Sequence, residues 1–187
     1  MFVWARQWTG YVLCNQWASI SNINTLNSVY YTYFYYVIKY WIILWGNSSK
    51  SGKVFTLQKK IVRIVAGAQP RTSCTSLFKQ LEILPVPCQY MLSLMNFIIN
   101  NQEIFQTNSS IHDISTRNRH HLHRPNANLS CFQKSTFCAG IKFFNSLPPN
   151  VTILKNDNSK FKETLTKCIY THSLYSVDEF FMCKVNL

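Results

Sequence analysis

The sequence predicts a mainly α fold of short, proline-punctuated helices with one irregular basic loop. Three observations carry that prediction. Apolar residues recur at three- and four-residue spacing along most of the chain. The six prolines fall between those runs. Only five glycines occur in 187 residues and no Gly-rich loop is present, which argues against a nucleotide-binding α/β fold.

Taken in order, the first long helix spans roughly 25–45 and ends at Gly46-Asn47, with Ser48–Gly52 as a polar break. On that helix Ser28, Thr32, Tyr35 and Lys39 form a polar stripe. Leu26, Val29, Tyr33, Val37, Tyr40 and Leu44 line the opposite, core-facing side. Ser51 caps a second helix, about 53–66, which stops at Gly67. Leu57, Ile61, Ile64 and Val65 form its apolar face, with Lys59, Lys60 and Arg63 on the other. After Pro70 a third segment, about 73–82, carries Leu77, Phe78 and Leu81. Beyond Pro85 and Pro87, a fourth helix over 88–105 carries Tyr90, Leu94, Phe97, Ile98 and Phe105. Residues 106–135 are polar and rich in Asn, Ser and His, and read as an irregular basic loop with a short strand near 129–132. Ser135 caps a helix through Phe144, which Leu147-Pro148-Pro149-Asn150 terminates. Ser159 starts the last helix, with Phe161, Leu165 and Ile169 at four-residue spacing. The resulting division is 1–21, 22–105, 106–135 and 136–187.

Charge narrows the chemistry. Nineteen Lys and Arg against seven Asp and Glu give a net charge of +12, and the first carboxylate is Glu82. Nine of the cations precede it. Two-metal and paired-carboxylate mechanisms need convergent acids. Here the only adjacent pair is Asp178-Glu179, and Glu82, Glu103, Asp113, Asp157 and Glu163 are isolated. A polyanion partner fits the basic excess.

The N-terminus meets Arg6 after five apolar residues, so it has no secretory pattern. Seven cysteines without a C-x-x-C point to reduced, intracellular thiols. The four N-x-S/T sites, at Asn47, Asn108, Asn128 and Asn150, match the roughly three that chance gives this composition. Residues 29–45 are nearly all apolar, and a membrane-anchored protein or an interaction module is the alternative reading. Lys39 at their centre opposes insertion by about 2.5–3.5 kcal/mol.

Two clusters suit phosphate. Lys59, Lys60 and Arg63 share a helix face, and cations so placed can track a nucleic-acid backbone. The segment Arg117–Arg124 (RNRHHLHR) adds Arg117, Arg119 and Arg124, with Lys134 nearby, and its His120, His121 and His123 can stack on bases. These histidines with Cys131 and Cys138 match no zinc spacing, so neither metal nor cofactor is expected.

Seven phrases in order carry a family resemblance. They are WGNSS (45–49), LQKKIVRIV (57–65), LFKQLEILP (77–85), STR (115–117), FQKSTFCAGIKFFNSLP (132–148), FKETL (161–165) and YSVDEFF (175–181). Together, over about 22–181, they resemble the region downstream of the palm in reverse transcriptases of jockey-type non-LTR (LINE-like) retrotransposons. The resemblance implies a thumb and post-palm remnant of a larger polymerase, with RNA, DNA or hybrid duplex as partner and a palm domain absent from this chain. The family's Phe/Tyr-x-Asp-Asp hairpin does not occur, so no enzymatic activity is implied. Where the family reads His-Ser and Tyr-Gly in the long helix, this chain has Tyr35-Tyr36 and Tyr40-Trp41. Trp for Gly at a helix contact predicts overpacking worth about 1–3 kcal/mol. Residues 1–21 match nothing in the family.

Overall fold

In the computed structural model the chain is mainly helical, with no strand among the described residues, which are 2–18, 22–112, 117–126, 128–172 and 174–182. Ser115 and Thr116 of the STR phrase, Asp113 and Cys183 lie outside them. Two compact units make up the chain, Met1–Tyr90 and Met91–Leu187.

The first unit opens with α1 (Phe2–Trp17), the segment without family likeness. It packs on α2 (Ile23–Tyr30), on a π-helical turn (Tyr31–Tyr35), on α3 (Tyr36–Trp45) and on α4 (Ser51–Val65). Cys14 of α1 is fully buried there, and desolvation pushes its thiol pKa up to about 11.

The long helix predicted over 25–45 is thus α2, a π turn and α3 in succession, and it turns a different face inward from the expected one. Leu26, Tyr30, Phe34, Ile38 and Ile42 are buried, every fourth residue. Of the expected core face only Leu26 is buried; Tyr33 is exposed, Tyr40 is 75% exposed and Leu44 69%. A strict four-residue repeat drifts by roughly 40° per step on a regular α-helix of 3.6 residues per turn. The π turn, in which the Tyr36 amide bonds back five residues to the Tyr31 carbonyl, takes up the extra residue and holds the stripe in line. Trp41 is exposed as well, so the Tyr40-Trp41 pair overpacks nothing in this unit. No helix among the described residues is long and apolar enough to cross a membrane.

Gly46 ends α3 where the Tyr90 ring lies, and a Cβ there would run into that ring. Burial pushes the Tyr90 phenol pKa up to about 12. Ser51 is not the cap of α4. Lys50 holds the cap position without a side-chain bond, while the Ser51 hydroxyl donates to the Ser48 carbonyl at 2.8 Å. The stop at Gly67 is as expected. Its φ is +62°, its amide reaches Ile64 O at 3.1 Å, and Ala68 N–H reaches Arg63 O at 2.9 Å, which closes the last turn. The third segment is α5 (Cys74–Gln80). It ends by the same pair of bonds, with Glu82 at φ +53° in the place glycine usually takes.

A buried amide ties the unit together. Gln58, on α4 and fully buried, donates from Nε2 to Tyr30 Oη and to Leu84 O, both at 2.9 Å. Its Oε1 accepts from Val86 N at 2.8 Å. Val86 is the first residue of α6 (Val86–Asn100), so Gln58 satisfies an amide that has no partner within that helix. Desolvation raises the Tyr30 pKa, which keeps the phenol a neutral partner.

In the second unit α6 ends at Asn100, earlier than the expected 105, and a 3₁₀ turn (Gln102–Ile104) follows. The region expected to be irregular holds α7 (Asn108–Ile111) and α8 (Ser130–Gln133). The latter is helical where a short strand was predicted, because residues 129–132 pair with no other strand. Ser135 caps α9 (Thr136–Asn145) as expected, accepting from Cys138 N at 3.3 Å. After Pro148, α10 (Pro149–Thr152) and a 3₁₀ turn (Ile153–Asn156) lead into α11 (Asn158–His172), which buries Phe161, Leu165 and Ile169. Its cap is Asp157 rather than Ser159, with Lys160 N–H donating to Oδ1 at 3.1 Å. The short α12 (Val177–Met182) completes the unit.

The inward face of the aromatic helix is directly testable. Phe34→Ala should cost about 3–5 kcal/mol in denaturant titrations, whereas Tyr40→Ser should stay within about 0.5 kcal/mol. Equal costs would restore the face read from the sequence.

Candidate nucleic-acid interface

The predicted cations divide into two sets. On α4, Lys60 is exposed, with Nζ 5.9 Å from the Tyr11 ring centroid. Lys59 is half-buried and lies over its own helix's Phe55 ring, Nζ at 4.6 Å. Arg63 is also half-buried, and its Nε donates to Thr72 O at 2.9 Å, tying the end of α4 to the turn that follows. All three cations on this face therefore contact groups of their own unit, Lys60 most loosely.

The second set sits on a loop that is held, not loose. Thr107 and Leu122 form an antiparallel bridge. Asn108 N–H reaches His121 O at 2.9 Å, Ser109 N–H reaches Arg119 O at 3.0 Å, and His123 N–H reaches Gln106 O at 2.8 Å. The decisive clamp comes from α9. Asn145 Oδ1 accepts from Leu122 N at 2.9 Å, and its Nδ2 donates to Leu122 O at 2.8 Å. One side-chain amide thus completes both backbone groups of Leu122, as a neighbouring strand would, and buries its side chain. Arg119 is exposed and donates from Nε to His120 Nε2 at 2.9 Å. Arg124 is exposed in front of Pro125, and Lys134 is exposed at the C-terminal cap of α8.

Arg117, His120 and His121 meet a residue with no local sequence signal. With Lys155 they line a surface cleft of about 420 Å³, floored by Phe144, Leu147 and Ile153. Lys155 stands on the 3₁₀ turn after α10, where no periodic pattern marks it. No carboxylate of the described residues lines the cleft.

Three of the carboxylates are engaged elsewhere. Asp157 caps α11, and its Oδ2 lies 3.1 Å from Lys160 Nζ; the Lys160 amide and then its ammonium hold the Asp157 pKa down. Glu163 pairs with Lys167 at 2.7 Å, which lowers its pKa too. Glu179, one of the adjacent acids, closes a capping box. Its Oε2 accepts from Tyr175 N at 2.6 Å and Ser176 N at 3.3 Å, while Ser176 Oγ accepts from Glu179 N at 3.1 Å. The spacing Ser176-x-x-Glu179 was a legible signal for this role. Among the described residues no group of three or more His, Cys, Asp or Glu is placed to hold a metal ion.

Comparison with known families, curated proteins and solved structures yields no match.

Two consequences can be measured. Asn145→Ala leaves the Leu122 amide and carbonyl without their partner, at a cost of about 1–3 kcal/mol. Amide exchange at Leu122 should accelerate selectively, and unchanged exchange there would remove the clamp. Second, carboxylates with lowered folded pKa values stabilise above the ordinary carboxylate range and lose that contribution as pH falls through the folded values. Acidification should therefore fray the start of α11, seen as faster exchange at Lys160 relative to Leu165, and Asp157→Asn should flatten that pH dependence.

Proposed function

We propose that this chain is a catalytically inactive remnant of the thumb and post-palm region of a jockey-type non-LTR retrotransposon reverse transcriptase, and that it binds RNA, DNA or their hybrid through the phosphate backbone. The observation that carries the binding half is the cleft lined by Arg117, His120, His121 and Lys155, with no described carboxylate beside it. Guanidinium and ammonium groups converging on one concave surface release counterions when they neutralise phosphates, and that term is independent of sequence. Support also comes from Asp157, Glu163 and Glu179. Each is held within or next to its own helix, so none offsets the cations of the cleft.

The origin half rests on the ordered phrases, and their residues have identifiable work to do. Gln58, from LQKKIVRIV, bonds to Leu84 of LFKQLEILP. Gly46 of WGNSS makes room for Tyr90. Asn145, from the phrase over 132–148, clamps Leu122 of the basic loop. The reading of this chain as inactive rests on the absence of a Phe/Tyr-x-Asp-Asp motif from its sequence.

The test is a salt titration. Affinity for a mixed-sequence oligonucleotide should fall linearly in log–log form, and Arg117→Gln and Lys155→Gln should each lower the slope by about one. Binding without salt dependence, or slopes unaffected by both substitutions, would remove this cleft as the interface.

A further inference from the structure

The basic cleft does not stand alone. A second cavity, of about 200 Å³, adjoins it in the same unit, and the two share Phe144 and Lys155 in their linings. Its walls are Ile98, Ile99, Phe105 and Leu122, and its polar groups are Gln102 and Thr107. The smaller cavity offers an aromatic wall and hydrogen-bonding side chains, and the cleft beside it carries Arg117, His120, His121 and the shared Lys155.

We propose that the two compartments together hold one unpaired nucleotide of a single strand. The base enters the inner cavity against Phe144, and its phosphate lies in the cleft between Arg117 and Lys155. This rests on the nucleic-acid reading above and narrows it from any phosphate backbone to a strand with an unstacked base. A base is planar and largely apolar on its faces but carries donors and acceptors on its edge. It therefore uses both the aromatic wall and the polar side chains. Gln102 is positioned for such an edge, because its amide is already oriented by donation to Lys155 O at 2.8 Å and Ile99 O at 3.3 Å, leaving Oε1 to accept. A simple acyl chain would gain nothing from Gln102 or Thr107. Lys155 links the two compartments physically: its backbone carbonyl orients Gln102 while its side chain lines the cleft.

The experiment compares two single strands of equal length and phosphate count on the full chain, one of mixed-sequence DNA and one built wholly of abasic tetrahydrofuran units. The natural strand should bind about tenfold more tightly. Thr107→Phe, which places a ring in the smaller cavity, should abolish that difference; Gln102→Phe serves if the first variant fails to fold by thermal melting. Arg117→Gln should weaken both strands. Equal binding of the two strands overturns the base pocket but leaves backbone binding intact, and binding of neither overturns both. Dodecyl phosphate binding more tightly than the natural strand also overturns the proposal, in favour of an amphiphile.

Discussion

The first unit depends on one buried side-chain amide. Gln58 sits where α2, α4 and the start of α6 converge, and all three of its hydrogen bonds go to groups that lack another partner in regular structure. Pro85 and Pro87 make this necessary. Proline supplies no N–H and breaks the chain between α5 and α6, which leaves the Leu84 carbonyl and Val86 amide buried beside a helix start. The Val86 amide, left unpaired without Gln58, would cost about 1–3 kcal/mol. Gln89 adds a second donor to the same carbonyl at 2.7 Å, which shows how much polarity converges there.

The second unit solves a comparable problem with the same chemistry. Asn145 reads both backbone groups of Leu122 and so fixes a loop that has few apolar anchors of its own. The clamp bears on the proposed binding because Arg117, His120 and His121 lie on that loop. A cation on a mobile loop loses conformational entropy when it meets a phosphate, whereas a loop tied to α9 has already been ordered by folding. The loop that carries Arg117, His120 and His121 is therefore held by one amide at the end of α9.

Charge and capping are coupled in this chain. With so few carboxylates, each one that shapes a helix end is withdrawn from any catalytic or neutralising role. Asp157 starts α11, Glu163 braces it through Lys167, and Glu179 starts α12. The cations outnumber them, and Lys60, Arg117, Arg119, Arg124 and Lys134 stay exposed, as a polyanion-binding surface would require.

Much of the local structure was legible from the sequence, because it depends on neighbours in the chain. The mainly α class, the cap at Ser135, the stop at Gly67, the buried stripe of α11 and Leu57, Ile61 and Val65 of the α4 stripe follow from side chains within a turn or two of one another, whereas Ile64 of that stripe is only half-buried. The aromatic helix was different. Nearly every side of residues 29–45 is apolar, so periodicity has no contrast to read, and only packing against α1 and α4 chose Tyr30, Phe34, Ile38 and Ile42 over Tyr33, Tyr40 and Leu44. The cleft was half legible. Arg117 and the histidines stood out as a cluster, but Lys155 reaches them only because α10 and its 3₁₀ turn return the chain to the loop. The sequence by itself determined the mainly α class, some of the helix ends and the sign of the charge, since those are set by composition and short-range chemistry. Only the tertiary structure decided which apolar face was buried and which cations met, since both depend on contacts between residues far apart along the chain.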